Sequence, residues 1–240
     1  MFGAKHISVD RVSDEAGRKL CVEVLRQTYE KEKAWVKDGS KQFASEDLER
    51  KDVSWFLVKK KDQPIGVLRV LYDPPLELYH EYGFKPVDGN LDVEKFVKEN
   101  KIAEIGRFAV IPDERRNFIA AANLMRAAVR DTLERGYSHY ITDVFEGEKH
   151  SPYKFHTRVM GFKVVATHDV GELNCDLRRL TMVLDLKAGY LRLRKSGGWL
   201  YRFLTEGWPD SLHEQLAGPE GKEGGDNWPA NSPLANPALA

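Results

Sequence analysis

The first regular pattern along the chain has a helical period. From Asp14 to about Trp35 the apolar residues Leu20, Val24, Leu25 and Ala34 recur among Glu, Lys and Arg, with Ser13 or Asp14 as an N-cap. The period then shortens. Residues 53 to 60 (VSWFLVKK) and 65 to 72 (IGVLRVLY) are β-rich runs on either side of Lys61-Asp62-Gln63-Pro64, which predicts a hairpin. Pro74, Pro75, Pro86 and Gly89 punctuate a loop over 73 to 101, with a short helix across Asp92 to Lys98. A strand over 103 to 111 (AEIGRFAVI) stops at Pro112. Phe118, Ala122, Met125, Val129 and Leu133 then step by 4, 3, 4 and 4 along one helix face, which Gly136 ends.

Strands follow at 137 to 145, 161 to 168 and 178 to 186, with a short helix over 151 to 160. Residues 188 to 206 read as a basic amphipathic helix, and from Gly207 onward five prolines and five glycines in 34 residues predict a tail with little core. The fold class is therefore mixed α/β (α+β) without internal repeats. Its expected organisation is one domain over 1–186, a helix over 187–206 and a tail over 207–240.

Composition narrows the function more than the fold. At 240 residues, 42% hydrophobic and 31% charged, the chain can bury a sizeable core, which excludes collagen-like, disordered and disulfide-scaffold classes. Lys plus Arg and Asp plus Glu both number 37, so no global field draws the protein to nucleic acid, and any basic docking surface must be local. Cys21 and Cys175 show no ligand spacing, and His139, His150 and His168 likewise predict no metal. The apolar core of a signal peptide and any run long enough to span a bilayer are missing, which predicts a soluble, cytoplasmic protein.

Glu104 to Leu124 reads as a strand, a basic loop and a helix N-terminus, an arrangement that can hold phosphate but that an ordinary packing unit also shows. Phe155-His156-Thr157-Arg158-Val159-Met160-Gly161-Phe162 resembles the aromatic-to-Gly-Phe segment of GNAT-fold acyltransferases, and the element order agrees. The family's glycine-spaced phosphate loop is half present: Arg115 and Arg116 stand there, but Phe118 to Ala121 contain no glycine.

Further positions resemble the branch containing the autoinducer (N-acyl-homoserine lactone) synthases and the long-chain N-acyl amino acid synthases. They are Arg26, Tyr29 and Trp35 in order, the acidic pair Glu46 and Glu49, Gly66-Val67-Leu68-Arg69, and Glu104-Ile105-Gly106-Arg107-Phe108. The resemblance implies a mixed central sheet with splayed central strands and no bound cofactor. It implies a co-substrate, acyl carrier protein (ACP) or CoA thioester, and a small amine acceptor. It further implies acceptor and acyl contacts at Arg26, Tyr29, Trp35, Glu46, Glu49, Arg69, Phe108 and Thr142, with Arg115 and Arg116 toward the donor phosphate. Glu in place of Asp in the acidic pair, and Gly106 in place of a small hydroxyl residue, favour an amino acid product over a lactone.

A thioester is already activated, so its amine acceptor needs a base and a position. Glu104, among Ile102, Ala103 and Ile105, is the candidate base, with an ion pair as its structural alternative. Strand alternation puts Glu104 and Arg107 on opposite faces unless a bulge intervenes. Arg69 and Arg107 need acidic partners, for which the resemblance suggests Glu46 and Glu49. His156 sits where GNAT enzymes place the tyrosine that protonates the leaving thiolate. Arg178, Arg179, Arg192, Arg194 and Lys195 form a local basic set suited to an acidic carrier protein. Leu191, Leu193, Trp199, Leu200 and Phe203 can pack on the core or touch a membrane. Acetyl transfer from acetyl-CoA and a non-catalytic acyl- or partner-binding domain are the rival readings.

Overall fold

The computed structural model describes residues 7–76, 81–87, 89, 92–115 and 118–217. Eight strands join in one sheet: β1 (Ile7–Arg11), β2 (Val53–Lys60), β3 (Gln63–Tyr72), β4 (Lys85–Pro86), β5 (Ile102–Val110), β6 (His139–Phe145), β7 (Lys163–His168) and β8 (Arg179–Asp185). Their order is β1-β2-β3-β5-β6-β8-β7-β4. Neighbours are antiparallel except β5 and β6. The predicted hairpin closes at Lys61 and Asp62, both at positive φ (48° and 65°), the mirror-image turn whose twist suits paired strands. β1 and β4 carried too little sequence pattern to be expected. Both are short sheet edges, where Pro86 costs no interior ladder bond.

Alternation along the strands divides the core. On one face Phe56, Leu68 and Val70 pack against α3 (Ile119–Glu134), and on the other Trp55, Leu57 and Val67 pack against α1 (Glu15–Leu25). The Asp14 side chain caps α1 by accepting from Gly17 N–H at 2.7 Å. The expected single helix over 14 to 35 changes winding at Arg26 and continues as a π-helical segment, Arg26–Glu32. A short helix, α2 (Val93–Glu99), lies before β5.

The expected C-terminal helix is two: α4 (Leu186–Ser196) ends at Gly197 in the left-handed region (φ 60°), and α5 (Trp199–Leu204) starts anew. A further helix, α6 (Asp210–Ala217), buries Leu212 and Leu216 in the same cluster as α3, so the expected tail is core-forming to 217. Residues 218–240 lie outside the described residues. Among the described residues no helix is long and apolar enough to cross a membrane.

Two irregularities in β5 create the site. β5 pairs with β6 over only Ile102↔His139, Ala103↔Tyr140 and Glu104↔Ile141, after which the strands part. On its other edge β5 carries an extra residue between Gly106↔Arg69 and Ala109↔Val67, and Arg107 takes φ 51°. This is a β-bulge, and the left-handed conformation of a non-glycine residue costs about 1–3 kcal/mol.

Candidate active site

A cavity of about 440 Å³ opens where β5 and β6 part. The bulge turns Arg107 toward the face that Glu104 occupies, which strict alternation forbids. Arg69 Nη2 donates to Glu104 Oε1 at 2.7 Å, and Arg107 Nη2 donates to Glu172 Oε2 at 2.8 Å. Both guanidinium groups are largely covered (side chains 15% and 14% exposed). Their Nε–H groups are buried with no hydrogen-bond partner among the described residues. Two buried donors are thus left unsatisfied beside the cavity, an arrangement that native interiors seldom keep. Burial raises the Glu172 carboxyl pKa, but the Arg107 hydrogen bond and charge outweigh it and hold the pKa below the usual carboxylate range. Tyr29 is pushed up by burial, against the pull of the Arg107 and Arg69 charges.

An aromatic wall closes this half of the cavity. Trp35 meets Tyr29 edge-on at 5.3 Å and Phe145 at 4.5 Å, while the Arg179 guanidinium lies 4.9 Å from the Phe145 ring centre. Asp143 faces the same space. Thr181 Oγ1 donates to its Oδ1 at 2.7 Å and His168 Nε2 stands 3.2 Å from its Oδ2. His168 Nδ1 lies 2.7 Å from the Val170 carbonyl, which can only accept, so Nδ1 carries a proton. The state that also suits Asp143 is imidazolium. Burial lowers the pKa of His168, yet the Asp143 hydrogen bond and charge raise it overall.

The other half is apolar, walled by Phe108, Phe155, Phe118 and Val144. Thr142 is buried there and donates Oγ1–H to the Ile105 carbonyl at 2.9 Å, tying β6 to β5 just beyond their last ladder pair. His156 belongs to a second π-helical segment, Phe155–Met160, and its ring touches Phe108, Phe155 and Phe162. It is fully buried, both ring nitrogens lack a hydrogen-bond partner among the described residues, and burial pushes its pKa down to about 3. The expectation that His156 hands a proton to the thiolate is corrected accordingly. At neutral pH its ring holds no imidazolium proton to give.

Several expected contacts fall elsewhere. Glu46 and Glu49 are exposed around a 3-10 turn outside the cavity lining, so the acidic partners of Arg69 and Arg107 are Glu104 and Glu172 instead. Arg26 is exposed and also outside the lining, and its backbone packs so close to Gly39 that a Cβ there would sit 2.9 Å from Arg26 N. Arg115 lines the cavity, but its guanidinium is engaged by Glu32 (2.6 and 2.7 Å) and the Val110 carbonyl (2.6 Å). With Lys33 bridging Glu32 and Glu148, these ion pairs fasten the first π-helical segment across the cavity rim. Arg116 lies outside the described residues.

The basic set divides as well. Arg178 pairs with Glu146, Arg179 donates to the Asp169 and Leu173 carbonyls, and Arg192 donates to those of Val159 and Met160, leaving Arg194 and Lys195 exposed. Glu172, Asp143 and His168 were not anticipated as site residues. Nothing in the run of residues around Glu172 marks it, because it meets Arg107 from 65 positions away. Among the described residues no group of three or more His, Cys, Asp or Glu is placed to hold a metal ion.

A mixed sheet whose parallel central pair splays beside a bulge, with a charged half-cavity and an apolar half-cavity meeting there, defines a GNAT-fold acyltransferase. The family model for the N-acyl amino acid synthase FeeM matches residues 21–175, well over half of the chain. The chain belongs to the FeeM family of N-acyl amino acid synthases, and it is an acyltransferase. Among solved structures it is similar to FeeM itself, from uncultured soil microbes, at 17% identity and TM-score 0.59, over 82% of this chain and 97% of that one. It is also similar to the ribosomal-protein-alanine N-acetyltransferase of Brucella melitensis (16% identity, TM-score 0.53, 74% of this chain and 99% of that one). A third similar structure is Arabidopsis thaliana NAA60 in complex with acetyl-CoA (12% identity, TM-score 0.53, 75% and 98%). These likenesses are of fold. No curated protein matches the sequence.

Proposed function

We propose that this protein moves a fatty acyl group from a carrier-protein thioester to the α-amine of an amino acid, giving an N-acyl amino acid. The observation that carries the reading is the meeting of two unlike half-cavities at the β5 bulge. One holds Arg69, Glu104, Arg107 and Glu172; the other is walled by Phe108 and Phe155. An amino acid acceptor presents a carboxylate, which suits the positive charge of the two guanidinium groups lining the cavity, and an ammonium, which suits the carboxylates. An acyl chain suits the rings. Tyr29 and Trp35 wall the acceptor half, whereas Arg26, Glu46 and Glu49 have no place in it.

In the reaction the free amine attacks the thioester carbonyl, a C–N bond forms, the oxyanion collapses and the C–S bond breaks. Glu104 takes the ammonium proton, directly or through water. The second proton, which the nitrogen sheds as the amide forms, passes through water to the departing sulfur, which leaves as a thiol. An α-amino group with pKa about 8 is roughly one-tenth free base at pH 7, so the base supplies a term near 1.4 kcal/mol and positioning supplies more. The donor is the acyl-ACP or acyl-CoA co-substrate, with no resident cofactor. A loop without glycines fits the single phosphate of a carrier-bound arm better than a wrapped pyrophosphate. Arg115, once released by Glu32, is the cation in reach of it.

The test is mass spectrometry of lipid extracts from cells overexpressing the wild type or Glu104→Gln. New N-acylated amino acids in the wild type alone support the reading and identify the acceptor. Lactones would relocate the product within the branch. An unchanged lipid profile from folded protein, with saturable CoA binding, would replace the reading by acetyl transfer.

A further inference from the structure

We propose that Trp199 and Phe203, on α5, extend the acyl wall beyond the cavity and select donors with long chains. The inference rests on the acyl-transfer reading above. α5 lies outside the residues 21–175 that the family model matches.

Five rings run in continuous contact from the bulge to the surface. Phe108 stacks on Phe155 at 6.0 Å, Phe155 meets Phe118 at 6.5 Å, Phe118 stacks on Trp199 at 5.6 Å, and Trp199 meets Phe203 at 5.9 Å. The first three line the cavity; the last two lie outside it. Phe118 and Trp199 are 42% and 47% exposed, an unusual condition for two large rings that already stack on each other. Contiguity with the reacting carbonyl's side of the cavity points to the acyl chain itself as the group that covers them. Along these five rings the indole Nε1–H of Trp199 is the one conventional hydrogen-bonding group, so a polar ligand would find little to hold it.

The far end of the track is polar. The Arg126 guanidinium sits 4.7 Å from the Phe203 ring centre and pairs with Glu206 at 2.7 Å, which limits how far a hydrocarbon chain is sheltered. α5 is a firm support, anchored by buried Leu204 after the Gly197 turn. The rings hold their place through helix packing rather than through a loop. Each methylene sheltered on such a wall is worth about fourfold in affinity. Chain length should therefore matter as far as the Trp199 ledge reaches.

The experiment compares wild type, Trp199→Ala and Trp199→Phe in two readouts. One is kcat/KM with acyl-carrier donors; the other is calorimetric binding of unreactive amide analogues of acyl-pantetheine. For Trp199→Ala the expected result is little change with short chains of about four carbons and a loss of about tenfold or more with chains of about twelve, in both readouts. Trp199→Phe keeps a ring and should retain most of the length dependence, which separates the ledge from a folding defect. Equal losses at all lengths, or none, would overturn the proposal. So would unchanged length dependence with lost binding to phospholipid vesicles, which would make the ledge a membrane contact. If long analogues bind in a Trp199-dependent way but no acyl group is transferred, the acyl-transfer reading fails and the ledge stands. If transfer occurs without Trp199-dependent length preference, the ledge fails and the reading stands.

Discussion

Glu104→Gln separates chemistry from architecture at one position. The variant keeps the side chain's shape, and its amide oxygen can still accept from Arg69 Nη2, now 2.7 Å from Glu104 Oε1. What is lost is the charge. Both side chains are partly screened by solvent (15% and 22% exposed), so turning a charge-assisted bond into a neutral one costs about 1 kcal/mol. For a chain of this length that lowers Tm by about 2–4 °C. Loss of the base that frees the amine instead lowers kcat by about tenfold at pH 7, the penalty for an acceptor held mostly as ammonium. A scaffold role moves only the first readout and a chemical role moves both, so thermal denaturation and turnover on the same preparation distinguish a scaffold carboxylate from a chemical one. A second signature lies in pH. If Glu104 removes the ammonium proton, the variant's rate should climb about tenfold per pH unit until the free amine predominates near pH 8, narrowing the gap to wild type. Wild-type turnover in the folded variant, or a gap that stays constant with pH, would refute this role for Glu104.

His156 should make the protein acid-sensitive. Its folded pKa is about 3 against 6.5 unfolded, so between those values the unfolded chain binds a proton that the native state refuses, and stability falls as pH falls. At pH 5 the loss is about 2 kcal/mol relative to pH 7. Urea denaturation should show that share of the acid sensitivity removed in His156→Phe, and equal losses in both proteins would disprove it. His168 has the opposite sign: its raised pKa gives stability that is complete below the unfolded value and disappears as pH rises through the folded one. An NMR titration should place its midpoint above 6.5 in the wild type and lower in Asp143→Asn; an unmoved midpoint would clear Asp143 of that influence. Gly39→Ala would bring a Cβ to 2.9 Å from the Arg26 backbone, so chemical denaturation should show a loss of about 1–3 kcal/mol. An unaffected Gly39→Ala would mean that the segment shifts freely.

Much of the fold was legible because burial imposes a period. The hairpin, the strand over 103 to 111, the α3 stripe and the mixed order of elements all follow from side chains alternating or stepping toward one core. Arg69, Glu104, Arg107, Phe108 and Thr142 were legible as a set and do line one cavity. The resemblance to GNAT acyltransferases rested on the same strand and agrees with the matched family. The pairing of those residues was not legible. Glu46 and Glu49 had the right charge in the right order, yet Glu104 and Glu172 meet the arginines, because an ion pair is chosen by distance in three dimensions and not by order along the chain. His156 looked available in sequence and is sealed by three aromatic rings.

Local composition settled the elements and the residue types of the site, since propensity and period act over a few positions. The bulge at Arg107, the parting of β5 from β6 and the placing of α5 beside Phe118 belong to the tertiary structure. Each depends on what a neighbouring strand or helix permits. Alternation alone would have sent Glu104 and Arg107 to opposite faces, and only a strained backbone held by the surrounding sheet brings them to one.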